Sequence, residues 1–142
     1  MGASTIGPND SGNGFVNDDN NEIDWWVIQL GSPGSFSASL SVGQSSDDID
    51  LFLYARNLNR LDSSTRGTGS SEFVSAFINY TGKVYLEVEL WSTGSSGPYS
   101  LSTSFVPAKP DLTPTAVSTP SSAQIGDSIR VDFSIKNQGT LR

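Results

Sequence analysis

The sequence predicts an all-β protein built as an antiparallel β-sandwich, and three observations predict it. Apolar residues alternate with period two in one segment after another, and no stretch keeps a helical period. Only 35% of the residues are hydrophobic and 16% charged, while Ser, Thr, Asn and 14 Gly fill the rest. That composition suits strands with polar outer faces joined by many turns. Turn clusters also recur at the short spacing expected of sandwich strands.

Taken in order, Asp24 to Leu30 is a dense apolar strand, with Trp26, Ile28 and Leu30 inward and Trp25 outward. The Gly31-Ser32-Pro33-Gly34 turn follows. Phe36 to Val42 then alternates apolar residues with serine, so one face covers a core and the other meets water. Ile49 to Ala55 reads as a second central strand. After the Gly67-Thr68-Gly69-Ser70 turn, Glu72 to Ile78 alternates less regularly. Val84 to Leu90 points Val84, Leu86, Val88 and Leu90 inward and Tyr85, Glu87 and Glu89 outward. The Gly94-Ser95-Ser96-Gly97-Pro98 turn leads to a last alternating strand, Tyr99 to Phe105.

The composition then changes. Val106-Pro107-Ala108-Lys109-Pro110 is a stiff, extended linker. Beyond it, Asp111 to Thr119 and Ser128 to Lys136 read as two strands around a Pro120-to-Gly126 turn. A lone hairpin is marginal in water. The expected organisation is therefore an N-terminal extension at 1–13, a sandwich at 14–106, a Pro-rich linker at 107–110, and the start of a second β domain at 111–142. Completion of the first sandwich by the last two strands is the alternative.

Composition also limits the chemistry. The chain has no His and no Cys, which removes Ser-His-Asp and Cys-His nucleophiles, zinc sites built on imidazole or thiolate, and disulfides. Carboxylates and carbonyls remain, and they favour hard cations, chiefly calcium. A net charge of -7 disfavours nucleic acid and anionic membranes as partners. No apolar run is long enough to span a bilayer. The first residues lack the features of a signal peptide, so a leader is expected upstream of this chain.

Four segments carry a family resemblance. Asp24-Trp25-Trp26-Val27-Ile28-Gln29-Leu30, Asp48-Ile49-Asp50-Leu51-Phe52-Leu53-Tyr54, Gly82-Lys83-Val84-Tyr85-Leu86-Glu87-Val88 and Gly97-Pro98-Tyr99-Ser100-Leu101 follow one another at compatible spacing. Together they resemble the strands of the bacterial pre-peptidase C-terminal domain (PPC) family over about residues 14–106. The resemblance implies a jelly-roll-like sandwich and a non-catalytic module of a secreted or cell-surface bacterial protein. The tail resembles the opening of a CARDB domain, an immunoglobulin-like module. It does so through Pro110-Asp111-Leu112, Val117, Pro120-Ser121-Ser122-Ala123, Gly126, and Val131 through Lys136-Asn137-Gln138-Gly139-Thr140.

Every charged residue before Arg56 is acidic, and such a block repels itself unless counter-ions offset it. Asn17-Asp18-Asp19-Asn20-Asn21-Glu22-Ile23-Asp24 has the oxygen chemistry for calcium but not the pattern of an EF-hand loop. Calcium-binding members of the resembled family use a Glu-Pro-Asn-Asp segment together with acids ahead of the Asp-Trp strand. The resemblance thus implies Ca²⁺ at Asn9, Asp10, Asn21 and Asp24, with Gly7 standing where the family has glutamate. The alternative is an acidic, solvated turn whose carboxylates cap the backbone.

Asp47, Asp48 and Asp50 also fit two readings. They match a glycosidase acid/base pair, with Asp48 and Asp50 on one strand face, or charges that limit edge pairing, which is the favoured reading. Trp25, Tyr85 and Trp91 are the candidate ligand-binding aromatics, with Tyr54 and Tyr80 able to join them. Sandwich cores and rims use the same residue types. Collagen-binding relatives carry several tyrosines where this chain has Glu87 and Glu89, which disfavours collagen. The expected function is a non-catalytic accessory module attached to the catalytic domain of the same polypeptide, a peptidase or another hydrolase. It would assist folding, secretion or substrate attachment. The alternative is a module that binds extracellular polysaccharide or protein through its aromatics.

Overall fold

The computed structural model describes residues 2–17, 21–91 and 96–139, with Ser96 described by its backbone alone. Asp18, Asp19 and Asn20 of the acidic stretch, Gly94 and Ser95 of the turn before Tyr99, and Thr140 of the tail lie outside the described residues. The strands are β1 (Ser4–Thr5), β2 (Ser11–Asn17), β3 (Ile23–Leu30), β4 (Gly34–Val42), β5 (Ile49–Tyr54), β6 (Arg60–Ser64), β7 (Glu72–Ile78), β8 (Gly82–Leu90), β9 (Ser96–Pro107), β10 (Leu112–Ser118) and β11 (Asp132–Asn137). The chain divides into two units, 1–107 and 108–142.

The first unit is a β-sandwich. One sheet has the order β1-β3-β8-β5-β6 and the other β2-β9-β4-β7. All these pairings are antiparallel except the short parallel contact of β1 with β3. The period-two alternation decides which side chains are enclosed. Trp26, Ile28 and Leu30 of β3, Val84, Leu86 and Val88 of β8, and Leu51 and Leu53 of β5 meet Phe36, Ala38, Leu40, Val74 and Leu101 from the other sheet. Burying each large aliphatic or aromatic side chain contributes about 1.5–3 kcal/mol. The six strands expected from alternation are all present: β3, β4, β8 and β9 are longer than expected, β7 has the expected bounds, and β5 ends at Tyr54, one residue short of Ala55.

Three strands of this unit, β1, β2 and β6, escape a reading by alternation. β2 reads Ser-Gly-Asn-Gly-Phe-Val-Asn and looks like a turn, yet it pairs with β9 from Ser11↔Ser102 to Asn17↔Ser96. Its glycines are there for packing: a Cβ on Gly12 would lie 2.9 Å from the Trp26 ring, and one on Gly14 would collide with the Tyr99 hydroxyl. β6 is a polar edge strand paired only with β5. Residues 1–13, expected to be an extension outside the sandwich, instead supply β1 and the first half of β2.

The second unit is an antiparallel hairpin of β10 and β11, with a register shift between Pro114 and Ala116. Pro114 lacks an N–H for the ladder, and the bulge accommodates it. Leu112, Val117, Phe133 and Ile135 are all more than half exposed. Two strands alone cannot enclose them.

Candidate functional site

The register of the five-stranded sheet lays out its outer face in rows. Tyr85 of β8 lies between Val27 and Tyr54, Glu87 between Trp25 and Phe52, and Glu89 between Ile23 and Asp50. One step further, the Trp91 amide donates to the Asp48 carbonyl at 2.9 Å. Aromatic residues therefore sit at both ends of this face, with an acidic band between them.

At one end, the rings of Trp25 and Tyr54 stand 5.5 Å apart. Trp25 and Tyr85, with Ala3, Arg56 and Leu58, line a mostly apolar pocket of about 330 Å³. The turn after β5 presents two of these residues. Leu58 N–H donates to the Ala55 carbonyl at 2.9 Å, and Leu58 adopts the left-handed conformation, φ 62°. The Arg56 guanidinium lies 4.7 Å from the centre of the Tyr80 ring, whose hydroxyl accepts the Arg56 N–H at 2.9 Å. Tyr80 thus fixes the turn rather than extending the platform. Burial first, then a hydrogen bond with Glu87, pushes the Tyr54 hydroxyl up to about 12.

At the other end, Trp91 lines a pocket of about 450 Å³ with Asp48, Asp50, Phe52, Arg60, Thr65, Arg66 and Gly67. The loop after β6 is held over it by the fully buried Glu72, which accepts from the Ser64 hydroxyl and, at 3.1 Å, from the Arg66 N–H. Gly69 N–H donates to the Asp47 carbonyl at 2.7 Å and ties the same loop to the segment before β5. Asp50 is only 5% exposed. Burial, then the charges of Asp48, Glu72 and Glu89, raise its carboxyl to about 6. Burial and the charges of Glu87 and Glu22 raise Glu89 as well. Asp47 is buried against Gly97, away from this pocket, so the strand parity of Asp47, Asp48 and Asp50 is as expected.

The four residues expected to hold calcium do not assemble one coordination sphere. Asn9 Oδ1 accepts the Phe105 N–H at 2.7 Å, and Asp10 Oδ1 caps the Ser11 N–H at 2.8 Å. Both lie at the start of β2. Asn21 and Asp24 sit further along it: the Asn21 amide donates to the Phe15 carbonyl at 2.6 Å, and the Tyr99 hydroxyl bound by Asp24 lies against Gly14, so about four residues of extended strand, roughly 13 Å, separate the two pairs. Asp24 accepts the Tyr99 hydroxyl at 2.7 Å through Oδ2 and the Asn21 amide at 3.3 Å through Oδ1. Tyr99 in turn accepts the Trp26 indole N–H at 2.8 Å. Asn21 Oδ1 is buried without a hydrogen-bond partner. The Asn21–Asp24 pair therefore keeps one free buried oxygen beside a carboxylate. Among the described residues, no group of three or more His, Cys, Asp or Glu side chains converges as a metal site.

Trp25 and Tyr85, expected to face outward, lie on the outer face of the five-stranded sheet, but Trp91, expected to be able to join them in one patch, lies at the other end of that face. Six residues of β8 and its continuation, about 20 Å, divide Tyr85 from Trp91. Sequence reasoning missed Arg60, Arg66 and Phe52, because the hydrogen bonds that fold the β6–β7 loop over the pocket come from Glu72 and Asp47.

With this geometry established, the sandwich is similar to the pre-peptidase C-terminal domain of a collagenase from Bacillus anthracis. The identity is 20% and the TM-score 0.60, over 72% of this chain and 94% of that domain. It also matches the periplasmic inhibitor of g-type lysozyme, PliG, from Aeromonas hydrophila at 15% identity and a TM-score of 0.49, over 73% of this chain and 97% of that one. No family model matches the chain, and no curated protein does either. The likeness to the collagenase domain is one of fold, an all-β sandwich of the PPC type. The CARDB resemblance of the tail rests on its residues alone.

Proposed function

We propose that this chain is a non-catalytic accessory module of a secreted or cell-surface bacterial protein. It attaches a catalytic domain of the same polypeptide, a peptidase or another hydrolase, to an extracellular protein or polysaccharide. The observation that carries this reading is the pairing of Trp25 and Tyr54 beside Tyr85 and Leu58 on the outer face of the five-stranded sheet. Half-buried rings on a sheet face have an apolar face free for a polymer chain while their strands keep them rigid, so little side-chain entropy is lost on binding. The shared fold with a domain that accompanies a collagenase supports the same reading.

The test is retention of the full 142-residue chain on insoluble chitin, cellulose and collagen. Retention on one of these polymers is expected, reduced at least about tenfold by Trp25→Ala combined with Tyr85→Ala, a loss of roughly 1.4 kcal/mol. Absence of retention on all of them, or retention that ignores the double substitution, overturns the attachment reading. Calcium belongs to the proposal at the Asn21–Asp24 end alone, where the orphan oxygen lies.

A further inference from the structure

The pocket beside Trp91 has an unusual balance of charge. Asp48 and Asp50 line it together with Arg60 and Arg66, yet no ion pair joins either carboxylate to either guanidinium. Among the described residues, the one ion pair is that of Arg130 with Asp132, in the other unit. Arg60 is held instead over the Phe52 ring, 5.8 Å from its centre. Asp50 is more than nine-tenths buried and lines the pocket. Trp91 has 69% of its surface exposed at the rim.

These features select the chemistry of an occupant. A simple cation would meet two guanidiniums, and a simple anion two carboxylates. A neutral polyol suits both, because each hydroxyl can donate to a carboxylate and accept from a guanidinium. The exposed indole face adds a preference for a ring with an apolar C–H face. A pyranose ring has both properties, and the pocket volume falls within the range of small-ligand sites, about 300–1,000 Å³.

We propose that the pocket formed by Trp91, Asp48, Asp50, Arg60 and Arg66 is a saccharide subsite that takes a pyranose unit of an extracellular polysaccharide. Trp91 stacks on the ring, Asp50 and Asp48 accept from neighbouring hydroxyls, and Arg60 and Arg66 donate to ring-substituent oxygens. The subsite rests on the reading of the chain as a binding module but is separate from the Trp25–Tyr85 pocket, and its test does not depend on that pocket.

The experiment is calorimetric titration of the full chain with soluble hexasaccharides of β-1,4-linked glucose, xylose, mannose and N-acetylglucosamine, alongside Trp91→Ala, Asp50→Asn and Phe77→Ala. One of the sugars is expected to bind with Kd below about 1 mM, a weak but specific affinity. Trp91→Ala should weaken it at least about tenfold and Asp50→Asn at least about threefold, while Phe77→Ala, an exposed ring on β7 of the other sheet, changes it by less than about twofold. Trp91 is exposed, so its loss leaves the fold intact, and an unchanged circular dichroism spectrum verifies this. No binding to any of the four sugars overturns the proposal. So does binding that Trp91→Ala leaves unchanged, or that Phe77→Ala and Trp91→Ala weaken equally.

Discussion

The Tyr99 hydroxyl donates to Asp24 Oδ2 at 2.7 Å, bridging β9 of one sheet to β3 of the other. The same oxygen accepts the Trp26 indole N–H at 2.8 Å, so one phenol satisfies a buried donor and a carboxylate at once. Gly14 lies directly under this hydroxyl, and any side chain there would displace it. Tyr99→Phe leaves the indole N–H without its acceptor and the carboxylate without its donor. Stranding such groups costs about 1–3 kcal/mol. The expected result is a fall in the melting midpoint of about 5–15 °C, measured by calorimetry. An unchanged midpoint would mean that water replaces the hydroxyl at no cost.

Asp50 and Glu89 stand directly opposite each other in the β5–β8 register, a like-charge pair on neighbouring strands. Burial, then the charges of Asp48, Glu72 and last Glu89, raise the Asp50 carboxyl from 3.8 to about 6. A carboxyl raised in the folded state binds its proton more tightly there than in the unfolded chain. Its ionisation therefore costs stability, and the cost develops as pH rises from about 4 to about 6. Asp50→Asn removes that cost, which after solvent screening is on the order of 1–2 kcal/mol at pH 7. The variant should melt about 4–10 °C higher than the parent at pH 7.5 and at the same temperature below pH 4. A gain that does not depend on pH would assign the effect to packing instead.

The fold was legible where one face of a strand is buried and the other solvated. Serine interleaved with Phe36, Ala38 and Leu40 marks β4 without ambiguity. β2 was not legible, because Gly12 and Gly14 make room for Trp26 and Tyr99, partners supplied by other strands. Outward parity gives Trp25 and Tyr85 the outer face they occupy, and strand rise alone separates Tyr85 from Trp91. The environment of Asp50 could not be read, since Glu72 and Glu89 reach it from β7 and β8. Asn9 and Asp10 looked close to Asp24 in sequence, but the extended strand between them keeps them apart.

Calcium tests that last point. If an ion sits at the Asn21–Asp24 end with an affinity typical of extracellular modules, about 0.1 mM, then 1 mM calcium adds roughly 1.4 kcal/mol. The midpoint should rise by about 6–10 °C relative to EDTA. The calcium-dependent rise should persist in Asp10→Asn and vanish in Asp24→Asn. A rise lost in both variants would restore a site that joins Asp10 to the Asn21–Asp24 pair. No rise in the parent chain would leave Asp24 as a structural acceptor for Tyr99 and Asn21.

Leu58 gives the sharpest contrast between stability and binding. It is 60% exposed and held at φ 62°, a conformation that costs a residue with a Cβ about 1–2 kcal/mol relative to glycine. Its side chain recovers little of this by burial, although it lines the apolar pocket with Trp25 and Tyr85. Strain held at an exposed apolar residue fits a position retained for contact with a partner. Leu58→Gly should raise the melting midpoint by about 2–6 °C, since the left-handed conformation suits glycine while its greater unfolded-state freedom offsets part of the gain. The same variant should lower retention on the polymer that the parent chain binds by at least about threefold. A more stable variant with full retention would make the turn a structural element only, and would confine the binding surface to the rings of Trp25, Tyr54 and Tyr85.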